Sequence, residues 1–367
     1  MSLGRPLLVE VLREPGQVRS LDAAGWDLLL RQAGHADLLA TLGILLEEAG
    51  LREAISAAAR EHFAWAAVLL ERHRRALRFE VDRIGQALAG MNRPLLLLKG
   101  AAYVMAGLPP AAGRMFSDVD ILVPKDRLAE AEGALLMHGW AAIHQDEYDQ
   151  RYYREWMHEL PPMEHIRRGN TIDVHHAILP ETARVRPDPA LLRADAVPVP
   201  GAAGLSTLSP HDMVLHSATH LFSEGEWQHG LRDLLDLHLL LLHFGAVPGF
   251  WDGLVARAIR LELARALFYA LRYGARLLGT PVPPAVMAEA ARAGSPGAAL
   301  LALMDALFLR ALLPPHPSCA DRLTPTALGA LYVRANWLRM PPLMLARHLF
   351  HKAFISPRER DTVDQVM

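Results

Sequence analysis

The sequence predicts an α+β fold in which a small mixed β-sheet core is flanked by N-terminal and C-terminal helical regions. Apolar residues recur at helical spacing on both sides of the middle of the chain, and the middle itself holds short apolar runs bounded by turn residues. The apolar fraction of 51% over 367 residues is enough for a sizeable core. We expect an N-terminal helical region at 1–90, an α/β core at 91–200 and a C-terminal helical domain at 201–367.

The composition argues against several classes of protein. A formal net charge of −2 is unlike that of a protein whose surface coats nucleic acid. The single cysteine, Cys319, excludes an internal disulfide framework and a cysteine-rich zinc module. The N-terminus lacks the apolar stretch of a signal peptide, and charged or polar residues interrupt the Leu-rich run at 234–244. We therefore expect a cytoplasmic protein that does not enter the membrane.

The first elements follow from periodicity and turn residues. Helical spacing covers 21–89, with Gly50 as a helix end. The apolar run at 95–98 then fits a buried strand that ends at Gly100, and a short helix is expected at 101–107. A mixed α/β segment therefore begins near residue 92.

The remaining elements of the core alternate between strands and helices. An amphipathic helix is expected at 124–138, and a Pro-rich segment at 187–200 leads to Ser209-Pro210, a cap residue followed by proline at a helix start. Beyond this point nearly everything is helical. Further strands are expected at 115–123, 140–143, 162–166 and 171–178.

Three aspartates suggest a metal site. Asp118 and Asp120 are two residues apart on a predicted strand, so their side chains point to the same side. Two carboxylates this close favour a cation between them, and magnesium is the usual one. Asp173, between two apolar residues on a later strand, is the natural third ligand. For the first two aspartates alone, a solvated strand end is an equally good interpretation.

Basic residues near the same strands suggest an anion site. Lys99, Gly100 and Ala101 stand at a helix start, where free backbone N–H groups and the helix dipole favour a phosphate. Lys99 is one of three lysines in the chain, and its compact charge suits a phosphate oxygen. Arg114 has three interpretations: an ion pair with Asp118, a contact with a triphosphate, or a loop arginine in water.

Histidines offer further candidates. His175 shares a strand face with Asp173 and is interpreted as an orienting residue, a general base or a metal ligand, whereas His176 faces the other side and is expected to be structural. His216 and His220 are spaced like a helical metal pair, but without a suitable Glu or Cys partner we expect them to close the nucleotide cleft or to pack between helices.

The stretch KGAAYVMAGLPPAAGRMFSDVDILV at 99–123, followed by TIDVHH at 171–176, resembles the nucleotidyltransferase superfamily with its DNA polymerase beta-like fold, and specifically the bacterial group of uncharacterised nucleotidyltransferases. The superfamily pattern is a glycine-led strand-to-helix turn, a strand with two acids separated by one apolar residue, and a third acid on a later strand. The resemblance covers about residues 90 to 240 and implies a nucleotidyltransferase core.

The resemblance implies a Mg²⁺-dependent or Mn²⁺-dependent enzyme that transfers a nucleoside monophosphate from an NTP, such as ATP, to a hydroxyl group and releases pyrophosphate. It implies that the catalytic residues and metal ligands are Asp118, Asp120 and Asp173. The residues it implies for nucleotide binding are Lys99, Gly100, Ala101, Arg114 and His175.

Alternatives remain at this stage. The superfamily usually has Gly-Ser or Gly-Gly at the turn where this chain has Lys99-Gly100-Ala101. All three acids are present, which favours the enzyme, but the missing hydroxyl leaves open a catalytically degenerate nucleotide-binding or regulatory protein. A helical phosphohydrolase would instead need His211, His216 or His220. For the acceptor, a small molecule or sugar is preferred to nucleic acid, because the sequence shows no basic stripe.

Overall fold

The computed structural model describes residues 5–143, 150–342 and 344–346. Helices dominate these residues and flank a mixed seven-stranded sheet, so the predicted α+β class is confirmed. Within the described ranges, no helix combines the length and the apolar character needed to cross a membrane.

The N-terminal part is helical, as the periodicity predicted. Two of its helices begin at side-chain caps: Asp22 accepts a hydrogen bond from the N–H of Gly25, and Ser56 accepts one from the N–H of Ala59. The helices are α1 (Leu7–Arg13), α2 (Ala23–His35), α3 (Leu39–Glu48) and the long α4 (Ala57–Ala87).

Helices in the middle of the chain are short, and those beyond it form a C-terminal layer. Ser209 caps the first helix of that layer, with Pro210 at its first position, as expected. The middle helices are α5 (Lys99–Met105), α6 (Leu128–Met137) and α7 (Pro189–Ala194). The C-terminal helices are α8 (Pro210–Ser223), α9 (Gly230–Gly245), α10 (Phe250–Arg260), α11 (Ala264–Tyr273), α12 (Pro284–Gly294), α13 (Ala298–Ala311) and α14 (Thr324–Arg339).

The sheet has the strand order β3-β4-β5-β2-β1-β7-β6. Its strands are β1 (Leu95–Leu97), β2 (Asp118–Leu122), β3 (Trp140–Ala142), β4 (Met163–His165), β5 (Thr171–His175), β6 (Val197–Pro198) and β7 (Leu205–Thr207). The pairs β2/β5 and β1/β7 are parallel, and the other pairs are antiparallel. The centre of the sheet therefore joins the first predicted strands to the later strand that holds Asp173.

The sheet continues past the expected end of the core. The strand β6 lies within the expected crossing segment at 187–200, and β7 lies beyond residue 200, where it pairs with β1. Neither strand is longer than three residues, so their pairing depends on contacts distant in sequence that periodicity cannot reveal. One cluster of buried apolar residues extends from Leu7 to Leu331 and includes both helices and strands. The division into three regions remains a prediction.

A histidine on α9 provides a pH test of the helical packing. His238 Nδ1 lies 2.8 Å from Thr280 Oγ1, and burial lowers the pKa of His238 to about 4. Its neutral form is therefore stabilised by folding, and this stability is present above the unfolded pKa near 6.5 and lost as the pH falls towards 4. We expect His238→Gln to reduce the loss of unfolding free energy between pH 7 and pH 5 by about 1–2 kcal/mol.

Urea unfolding of both proteins at the two pH values measures this difference. The same pH dependence in wild type and variant would show that His238 does not contribute to acid destabilisation.

Candidate metal centre

Parallel pairing of β2 with β5 brings the predicted carboxylates together. Asp120 stands directly opposite Asp173 in this register, and Asp118 stands opposite Thr171. Residues opposite each other on neighbouring strands project from the same face of a sheet. The register therefore places Asp120 and Asp173 side by side. Asp118 lies two residues before Asp120 on β2.

Asp120 is a buried anion with two hydrogen-bond donors. Its side chain is 3% exposed, and its Oδ1 accepts hydrogen bonds from Lys99 Nζ at 3.1 Å and from His175 Nε2 at 2.8 Å. Burial alone raises the pKa of Asp120, but the Lys99 ammonium and the His175 hydrogen bond outweigh it and hold the pKa well below its usual value. Asp120 is therefore ionised and fixed in orientation.

Asp173 differs from Asp120 because the described residues offer it no such donors. Its Oδ1 is buried and finds no hydrogen-bond partner among the described residues. Burial, together with the negative charges of Asp120 and Glu159, raises the pKa of Asp173 to about 7. A buried carboxylate oxygen without a partner, beside a second carboxylate, is stabilised by a cation with affinity for oxygen ligands.

Asp118 lies at a greater distance from the other ligands. Its Oδ1 accepts a hydrogen bond from Ser117 Oγ at 3.2 Å, and burial and the charge of Asp120 raise its pKa. Ligand atoms of Asp120, Asp173 and His175 lie within 4.8 Å of one another, whereas Asp118 belongs to no such group in the part of the chain that the structure describes. Its role as a metal ligand stays a prediction.

The Lys99 side chain contacts the Asp120 carboxylate through Nζ. Lys99 is the first residue of α5, with a left-handed φ of 41°. Burial favours the neutral amine, but the charges of Asp120, Glu224 and Asp118 outweigh it and raise the pKa of Lys99 above its usual value. Lys99 is therefore a charged partner of the carboxylates, and its predicted contact with phosphate is untested.

The glycine of the predicted phosphate turn is required by packing. Gly100 lies under the ring of Phe116, so that a Cβ on Gly100 would be 1.9 Å from Phe116 Cδ1. The backbone N–H of Phe116 donates to His73 Nε2 of α4 at 2.7 Å, which limits movement of this segment. Ala101 is buried in the same turn. The turn thus joins the sheet, α4 and α5 in close contact.

The predicted ion pair between Arg114 and Asp118 is wrong. The Arg114 guanidinium forms ion pairs with Asp236 and Asp233 of α9, and it lies 4.9 Å from the centre of the Phe116 ring. The loop that holds Arg114 follows a 3₁₀ turn packed against α9, which turns its side chain away from β2. A contact with triphosphate stays a prediction.

Sequence reasoning missed a second contact of His175. The segment 157–160 runs antiparallel to the end of β5: Leu160 N–H donates to the Val174 carbonyl at 2.9 Å, and Glu159 stands opposite His175. His175 Nδ1 lies 3.2 Å from Glu159 Oε2, and the pKa of Glu159 is raised, chiefly by burial. Only the isolated charges in HELPP at 158–162 could have drawn attention to this segment.

The His211-Asp212 doublet has a structural environment. His211 Nε2 lies 2.7 Å from the Phe250 carbonyl oxygen, and its ring stacks on Phe250. The fully buried Asp212 carboxylate accepts two hydrogen bonds from Arg257, both at 2.7 Å. Both residues therefore connect α8 to α10, and neither is available to a phosphohydrolase metal.

The other histidines singled out from the sequence lie outside the group formed by Asp120, Asp173 and His175. His220 Nε2 is 2.8 Å from Glu224 Oε2, and His216 is buried one turn earlier on α8. In the described ranges, neither belongs to a group of three close metal ligands. His176 is buried on the face of β5 opposite Asp173, 3.9 Å from Glu181.

Substitution of Gly100 tests the packing of the turn. We expect Gly100→Ala to lower the free energy of unfolding by about 1–3 kcal/mol, because the added methyl group overlaps the Phe116 ring. Gly133→Ala on the exposed side of α6 is the matched control, since nothing lies within 4 Å of its Cβ and alanine favours a helix. Equal melting temperatures for the two variants would contradict the packing argument.

Comparison with known proteins agrees with this geometry. Neither the curated proteins nor the solved structures include a match to this chain. A family model described as uncharacterised nucleotidyltransferase matches residues 22–279, which is more than half of the chain and includes Lys99, both acids of β2 and Asp173. The chain therefore belongs to the uncharacterised nucleotidyltransferase family.

Proposed function

We propose that this protein is a magnesium-dependent enzyme that transfers a nucleoside monophosphate from an NTP to a hydroxyl group. The observation that most supports this proposal is the buried Oδ1 of Asp173, which has no hydrogen-bond partner in the described part of the chain, next to the ionised Asp120. General nucleotidyl transfer is the activity that the family description indicates. The metal, the nucleotide and the acceptor are the parts that we add.

The residues present fit a magnesium ion or a manganese ion. Asp120 and Asp173 would hold it through carboxylate oxygens. Asp118, two residues before Asp120 on β2, would complete the set. His175 is better suited to orienting Asp120 than to binding magnesium, because its Nε2–H donates a hydrogen bond to that carboxylate. When bound, such an ion supplies positive charge to the phosphates and to the attacking and leaving oxygens.

The protein's own residues reduce the charge of the site. Lys99 places one ammonium beside Asp120, which lowers the net negative charge that a triphosphate would meet. In the proposed reaction the acceptor oxygen bonds to the α-phosphorus, the bond to pyrophosphate breaks, and the acceptor hydroxyl gives up its proton to water. Burial and neighbouring carboxylates raise the pKa of Asp173 to about 7, and a bound cation would favour its ionised form, which is the form that binds metal.

The lining of the site favours a small acceptor. The carboxylates of Asp118, Glu159 and Glu224 are all partly exposed around it, and they would repel the phosphates of a nucleic acid. A small molecule or sugar is therefore the acceptor class that we propose. Cys319 is free and buried, which is compatible with the reducing cytoplasm as the proposed location.

A second function is favoured by one observation. The Lys99 ammonium already neutralises Asp120, so the site could bind nucleotide without a metal and without turnover. The protein would then be a catalytically degenerate, regulatory member of its family. Nucleotide binding that does not depend on magnesium would distinguish this alternative from the enzyme.

Asp173→Asn is the variant that tests the enzyme proposal. Replacement of Asp120 would also remove the hydrogen bonds of Lys99 Nζ and His175 Nε2, whereas Asp173 Oδ1 has no hydrogen-bond partner to lose among the described residues. We expect Mg²⁺ with its NTP at about 100 times Kd to stabilise the wild type by about 2.7 kcal/mol. Asp173→Asn should abolish this stabilisation. It should also lower the rate of pyrophosphate release at least about 100-fold, because losing a metal ligand reduces activity more than losing a residue that orients one.

Thermal unfolding with each of the four NTPs, with and without Mg²⁺, measures the first effect. Asp126→Asn is the matched control, because it makes the same change on a neighbouring turn away from the carboxylates. Magnesium-dependent stabilisation that persists in Asp173→Asn would overturn the proposed site.

A further inference from the structure

A second group of potential ligands includes His175, whose Nδ1 lies 3.2 Å from Glu159 Oε2. One ring nitrogen of His158, one of His175 and one carboxylate oxygen of Glu159 lie within 4.8 Å of one another. The centres of the two imidazole rings are 5.2 Å apart. This group shares only His175 with the carboxylate site, and it contains two nitrogens for one oxygen.

Asp120 determines which nitrogen of His175 is free. Because the ionised carboxylate can only accept, His175 Nε2 must carry a hydrogen, and a neutral imidazole then presents a lone pair at Nδ1. That nitrogen is buried without a hydrogen-bond partner among the described residues and lies 3.2 Å from Glu159 Oε2. Two lone pairs facing each other at this distance require a proton or a cation. Metal-binding histidines typically have such a carboxylate on their other nitrogen.

His158 supplies an independent observation. Its side chain is 7% exposed, and its Nδ1 is buried with no hydrogen-bond partner in the described part of the chain. A buried polar atom without a partner costs free energy, so the site is incomplete as it stands. The backbone holds this group in place, because His176 N–H donates to the His158 carbonyl at 2.8 Å and Glu159 bridges His175.

We propose that His158, Glu159 and His175 form a binding site for a zinc-like divalent cation, distinct from the magnesium site of Asp120 and Asp173. Two imidazoles and one carboxylate are a common zinc ligand set and leave one position open. Magnesium prefers oxygen ligands and would not select this group. The inference does not rest on the proposed function, because Asp120 serves here only to orient His175.

The test is calorimetric titration of Zn²⁺ into the metal-free full-length protein. We expect one equivalent to bind to the wild type, and His158→Asn to weaken the affinity at least about 10-fold, because even supporting residues of metal sites contribute that much. Glu159→Gln should weaken it as well, and its partly exposed side chain makes misfolding less of a concern. Titration with Co²⁺ adds an absorption spectrum that reports nitrogen ligation.

Two controls separate this site from others. His216→Asn removes an equally buried histidine outside the group and should leave Zn²⁺ affinity unchanged. Asp173→Asn should leave Zn²⁺ binding at this site intact while it removes the magnesium-dependent stabilisation by NTP. The two measurements therefore distinguish failure of the zinc proposal from failure of the magnesium proposal. The proposal is overturned if the wild type binds no Zn²⁺, or if His158→Asn and wild type bind Zn²⁺ with equal affinity. A proton shared by His175 and Glu159 would then explain their contact.

Discussion

A buried negative charge at Asp120 is the constraint on which the surrounding structure depends. An ionised carboxylate removed from water is tolerated only when charged and hydrogen-bonded partners compensate it. Here the partners come from two different elements, Lys99 at the start of α5 and His175 at the end of β5. The strand that holds Asp120 is therefore tied electrostatically to both of its neighbours in the site, in addition to the backbone pairing.

The close packing of the α5 turn follows from the same arrangement. For Lys99 to reach Asp120, the chain must turn sharply after β1, and Gly100 permits the ring of Phe116 to cover that turn. Arg114 then packs against Phe116 and forms ion pairs with Asp233 of α9. These contacts connect the sheet to the C-terminal helices, so the helical layer supports the site as well as covering it.

The sequence was sufficient to predict the class of fold and the strands that hold the acids, because those signals are local. A short apolar run, a pair of aspartates two residues apart and a capped helix at Ser209 can each be recognised without knowledge of the partner. The strands β6 and β7 were missed because they exist only through pairing with β1 and each other. The predicted pairing of Arg114 with Asp118 was wrong for a similar reason, because its actual partner Asp236 is distant in sequence.

The same limit applies within the site. That Asp173 lies opposite Asp120 follows from the register of β2 and β5, which no local pattern specifies. Glu159 lies in a segment without periodicity, and its contact with His175 depends on a single antiparallel bridge. Sequence reasoning therefore identified the carboxylates, whereas the structure was needed to find the second partner of His175 and the hydrogen bonds that orient Asp120.

The most direct test of the central claim is anomalous diffraction from crystals grown with Mn²⁺ and a non-hydrolysable NTP analogue. We predict a peak bridging the carboxylates of Asp120 and Asp173, with the triphosphate of the analogue in contact with the ion. An analogue bound with no manganese at these two carboxylates, or manganese bound only elsewhere, would contradict a metal-dependent transferase centred on them.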